Sequence, residues 1–144
     1  MKKISNNQLA FFIARITIGI NLLVHGLVRI PKLEAFANGI VKGFSETYLP
    51  EILVTSFAFG IPFIEFIIGS LLLIGWKTKY AAAAGGFLIA LLILGSAFKE
   101  DWGAVGTQMV YAIFFFLLIK NLDHNYWSID TNARKKIDGF KTER

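Results

Sequence analysis

The chain has no cysteine among its 144 residues, so it holds no disulfide and no thiol of its own for redox chemistry. Its only histidines, His25 and His124, lie far apart, and no Cys/His cluster of metal-ligand spacing exists. Charge is scarce: 17% of residues are charged against 55% apolar, and the mean hydropathy is +0.57. A soluble domain of this length needs more polar surface than that to cover a core. There is no internal repeat, no low-complexity tract and no linker long enough to divide the chain, so residues 1–144 are expected to form a single domain. No nucleotide-binding motif is present, and nothing pairs histidines for haem. The net charge of +5 would suit nucleic acid, but its distribution fits membrane orientation instead.

What is abundant comes in runs. Leu9 to Val28 carries Arg15 as its one fixed charge, with His25 near the far end. Ile52 to Trp76 contains Glu65 alone, and neither Tyr80 to Phe98 nor Trp102 to Ile119 holds any charge. About 20 helical residues cross a bilayer core of about 30 Å. The fold class expected is therefore all-α, a four-helix transmembrane bundle with spans at about 9–29, 52–75, 80–98 and 102–120. A soluble helical bundle would need a polar face on each helix, and these have almost none. The first run lacks a small-x-small cleavage site and reads as a retained span.

Four spans put both termini on one side. That side holds ten lysines and arginines and the opposite side four (Arg29, Lys32, Lys42, Lys99), so the termini are expected in the cytoplasm. The basic tail 131–144 reads as a topology signal. In the first outward loop Leu33, Phe36, Ala37, Ile40, Val41 and Phe44 recur at helical spacing behind Pro31. They predict a short amphipathic helix that either caps an opening between the spans or rests on lipid.

Glu65 is the residue that most needs explaining. It falls near the middle of the second span, where a charge costs about 2.5–3.5 kcal/mol unless it is paired, protonated or hydrated. Ala58, Pro62, Glu65 and Gly69 share one helix face, and Gly69 permits a close neighbour. On the first span Arg15, Gly19, Asn21, His25, Gly26 and Arg29 fall within an arc of about 160°. Depth along the two spans predicts an Arg15–Glu65 interaction, direct or through one residue or water. Gln108 joins a polar network higher up, and His25 and Arg29 face the same interior. The Arg15–Glu65 pair has two readings, a structural pin or part of a ligand and proton site. The Ala82, Gly86, Ala90 series of the third span reads as packing.

These residues also carry a resemblance. ARITIGINLLVHGLVRIPKL followed by GIPFIEFIIGSLLLIGWKTKYAA resembles the DoxX family of small bacterial membrane proteins over roughly residues 9–122. The matching features are the early arginine, the HG pair, the span-two glutamate and the basic turn after it. Where the family more often has a glycine pair after the glutamate this chain has Ile68, which suggests a slightly wider helix contact. The resemblance implies a multi-pass protein of the bacterial cytoplasmic membrane and a link to oxidoreductase complexes, including a thiosulfate:quinone oxidoreductase.

Three functions remain open at this level. One is the membrane component of a quinone-linked oxidoreductase, holding a quinone or small anion between its helices. Its catalytic groups would be His25 and Glu65, its binding groups Arg15, Arg29, Asn21 and Gln108, with no metal. Electrons would pass from substrate to quinone or through a partner subunit. The second is a bundle that binds or transports a small solute or lipid without redox chemistry. The third is a scaffold subunit, with a partner subunit or a second copy of the chain beside it.

Overall fold

A computed structural model describes residues 4–133. Among the described residues all regular structure is helical: α1 (Asn6–Arg29), α2 (Leu33–Gly43), α3 (Glu51–Ile74), α4 (Thr78–Phe98) and α5 (Trp102–Lys120). A single 3-10 turn, Ile30–Lys32, joins α1 to α2, with Pro31 early in it, where a missing N–H costs nothing. Four helices are long and apolar enough to cross a membrane, with α2 continuing the first. Most of the basic tail, residues 134–144, lies outside the described residues.

Local signals set the ends. Ser5 caps α1, accepting from the Gln8 N–H while the Gln8 side chain accepts from the Ser5 N–H. Asp101 caps α5 by accepting from the Ala104 N–H at 3.0 Å. Gly75 closes α3 in the left-handed conformation at φ 66°, which a side chain would strain.

Packing centres on α1 against α3, with α5 leaning on α4. The α1–α3 interface is tight enough to need glycine on both helices. A Cβ on Gly26 would come within 2.5 Å of the Pro62 carbonyl oxygen and 2.7 Å of Phe66. One on Gly69 would overlap the Leu23 backbone. The departure at Ile68 therefore does not widen this contact; Ile68 is buried in the core beside Ile18, Leu22 and Leu72. On α4 the packed face differs from the expected series. Ala82 is buried but Ala90 is exposed, and Gly85 rather than Gly86 receives the ring of Phe115.

These two glycine contacts fix the α1–α3 register. His25 comes level with Glu65, and Arg15 comes level with Gly75, whose added Cβ would lie 2.6 Å from the Arg15 guanidinium.

Candidate functional site

Helical side chains lean toward the N-terminus of their own helix. On antiparallel α1 and α3 this draws Arg29 and Glu65 toward each other, whereas Arg15, level with Gly75, already lies far from the acid. Arg29 Nη1 donates to both carboxylate oxygens of Glu65, at 2.7 and 2.6 Å. The guanidinium carbon also lies 4.8 Å from the centroid of the Phe36 ring on α2. His25 Nδ1 is 3.8 Å from Glu65 Oε1. Glu65 is 2% exposed, whereas the His25 side chain is 38% exposed, so the acid is enclosed and the imidazole open.

The expected Arg15–Glu65 contact is not formed. Arg15, 1% exposed, donates instead to three carbonyls: Leu72 at 2.5 Å, Leu73 at 3.2 Å and Trp127 at 2.5 Å. Leu72 and Leu73 lie in the last turn of α3, where the helix dipole favours a cation; the Leu72 carbonyl also accepts from the Gly75 N–H at 3.2 Å. Phe12 stacks edge-on against Trp127 with ring centroids 4.9 Å apart. From the same segment Asp130 reaches back to the first turn of α4, accepting from the Lys77 N–H at 2.7 Å and the Thr78 N–H at 2.8 Å. Asn125 donates to Thr78 Oγ1 at 3.0 Å, and Ser128 is buried against Gly75. Arg15 thus ties α1, α3 and the segment after α5 together at one end, far from the acid.

At the other end lies a cavity of about 520 Å³, within the size range of small-molecule sites. It opens where α1 and α4 finish and α3 and α5 begin. Phe57, Ile61, Ile89 and Leu92 line its wall, and Asn21, His25, Arg29, Glu65 and Gln108 all border it. Five of the six residues singled out from sequence therefore meet in one hollow, and Arg15 alone is elsewhere. Phe36, Ile40 and Phe44 close one side, while Ala37 is fully buried. Of the two roles open to the amphipathic helix, α2 takes that of a cap over the opening.

The cavity also recruits groups that sequence patterning left out. Ser96, Lys99 and Tyr111 line it. Gln108 Nε2 donates to Ser96 Oγ at 2.9 Å, and Asn21 Nδ2 to the Tyr111 hydroxyl at 3.5 Å. The Gln108 to Tyr111 spacing of one helical turn was a legible signal, since residues three apart share a face. Ser96 had none, because its partner lies across a helix–helix contact. Asn21 Oδ1 and Gln108 Oε1 are buried and have no hydrogen-bond partner.

Four long apolar helices, with a carboxylate buried against an arginine in a capped hollow, define a multi-pass membrane bundle with an internal polar site. The chain belongs to the DoxX family, whose model matches residues 10–99. That match spans nearly all of α1 and the whole of α2 to α4, leaving α5, with Gln108 and Tyr111, outside it. No curated protein and no solved structure matches the chain significantly.

Proposed function

We propose that the cavity binds a small amphipathic molecule of the quinone class, and that the protein is the membrane component of a quinone-linked oxidoreductase. The observation that carries this reading is one hollow with two chemistries. Its walls are apolar, and its polar groups include an ion pair of Arg29 with the buried Glu65 and an imidazole. An apolar ring and tail suit the phenylalanine and leucine walls.

Such a ligand supplies a head that takes up two electrons and two protons. The chain's own residues supply position and protons. Arg29 holds Glu65 in place and stabilises its charge away from water. Glu65 faces Nδ1 of His25, leaving the other ring nitrogen free to exchange a proton with the ligand head. The 3.8 Å gap closes through one water or a small shift of the exposed ring. With no thiol on this chain, electrons arrive from a sulfur oxyanion or from a redox partner subunit. A second copy of the chain is the other candidate partner. By the lysine and arginine distribution the termini lie in the cytoplasm of a bacterial cell, and the cavity faces the outer half of the cytoplasmic membrane.

The test is extraction of the full chain in mild detergent and identification of its bound small molecules. A co-purifying quinone is expected, and His25→Ala and Glu65→Gln are expected to abolish its reduction in membranes while leaving the protein folded. Full quinone reduction by both variants would remove those residues from the mechanism. Solute permeation in proteoliposomes without an electron donor would replace the redox function with transport.

A further inference from the structure

The cavity has an end and a side, and the two differ. Its end, where α1 and α4 finish, is covered by α2. Phe44, which closes α2, reaches across to α4 and sits on Gly95, where an added Cβ would come 3.2 Å from the ring. The Lys99 ammonium lies 5.3 Å from the centroid of the same ring. The side lies between α3 and α4. Pro62 and Gly69 mark the face of α3 that meets α1; at 100° per residue Ile61, Phe57 and Leu53 turn from it by about 90°, 130° and 170°. On α4, Gly85 receives Phe115 of α5, and Leu91 and Leu94 turn about 120° and 180° away from it. Leu91 falls within about 40° of Gly95, on the side of α4 that meets α2. The buried core shared by α3 and α4, Ile68 and Leu72 with Ala81 and Ala82, lies toward the short turn that links the two helices. Beyond that core the two flanks border the cavity instead. Leu53, Leu91 and Leu94 line it and yet are 61%, 50% and 52% exposed. Residues that border a hollow and are also open to the surroundings mark a break in its wall. In a membrane span those surroundings are acyl chains.

We infer that the cavity opens sideways into the bilayer between α3 and α4, and that its ligand enters from lipid and leaves an apolar tail in that opening, along Leu53, Leu91 and Leu94. This rests on the quinone-class reading, and it adds a route and a shape. The head sits at His25 and Glu65, and the tail runs toward the start of α3. Glu65 and Leu53 are twelve residues apart on one helix, about 18 Å, so the ligand is long rather than compact. A tail that passes from lipid to leucine stays in apolar surroundings throughout and loses no water on the way. A small polar solute from water finds the end covered by Phe44 and the side lined with leucine. The inference concerns entry and binding alone and needs no electron donor.

Because the chain has no cysteine, a single introduced thiol can be modified alone. The experiment is calorimetric titration of the full chain in lipid nanodiscs with two benzoquinones that share a head, one carrying a decyl tail and one a methyl group. Leu94→Cys is titrated before and after its thiol is capped with benzyl methanethiosulfonate, which fills the opening. Capping is expected to weaken the decyl compound at least about tenfold, because the tail then overpacks the opening. The methyl compound should change by less than about threefold, since its head reaches the same place without a tail to seat. Ile113→Cys, on an exposed face of α5 outside the cavity, should change neither when capped. If Leu94→Cys fails to give a monodisperse helical protein, Leu91→Cys makes the same measurement. Unchanged decyl binding after capping, equal loss of both compounds, or an equal loss at Ile113→Cys overturns the inference while leaving the quinone reading intact. So does a wild type that binds the methyl compound alone. A wild type that binds neither removes both.

Discussion

The two ends of this bundle use the same residue type for opposite purposes. At one end Arg15 is sealed among backbone carbonyls of α3 and of the segment after α5, with no acid within ion-pair distance among the described residues. At the other, Arg29 meets a carboxylate and an aromatic ring on the edge of a cavity. Arg15 is spent entirely on structure, because helix-terminal carbonyls in an apolar setting have few other donors. Arg29 keeps a quarter of its side chain exposed and so remains available to a ligand. An arginine within a span is therefore not by itself a site; what it faces decides.

The sharpest way to break this contrast is Arg15→Ala. It removes three charge-assisted bonds and is expected to destabilise the protein by about 4 kcal/mol, with ligand affinity unchanged in the folded fraction. Unfolding in mixed detergent micelles, with a parallel binding assay, checks both halves. Arg29→Ala should cost less stability, about 3 kcal/mol, because the Arg29 side chain is a quarter exposed at the cavity edge rather than sealed like Arg15. It should, however, lower ligand affinity. Should Arg15→Ala harm binding and Arg29→Ala spare it, the assignment of the two ends is reversed.

Smaller effects refine the picture. Gly26→Ala places a Cβ 2.5 Å from the Pro62 oxygen and is expected to cost about 2 kcal/mol by forcing α1 from α3, disturbing the His25–Glu65 level as it does so. A binding loss larger than that of a comparable substitution in the Arg15 end would show that the register sets the site. Asp130→Ala removes the cap on α4 and should cost about 1 kcal/mol in the same unfolding assay, without touching the cavity.

Much of this was legible beforehand, and the failures are instructive. The spans, the amphipathic α2 and the polar face of α1 followed from hydropathy and from the 3.6-residue period alone. Asn21, His25, Arg29 and Glu65 were recognisable because polar groups are costly in a bilayer and so stand out there. The wrong partner for Glu65 came from a misjudged register: the acid lies level with His25, about 15 Å along α1 from Arg15. On antiparallel helices Arg15 and Glu65 point away from each other, while Arg29 leans back onto the acid. Asp130 and Asn125 could not be found by periodicity, since their partners in the first turn of α4 are more than forty residues away in the chain.

The sequence by itself determined that this chain crosses a membrane with a few ionisable groups inside it, because transfer into lipid depends on residue type and run length. Only the tertiary structure decided which cation meets the acid and where the hollow lies. Both depend on the register of α1 against α3, set by glycine contacts between backbones that no single helix contains.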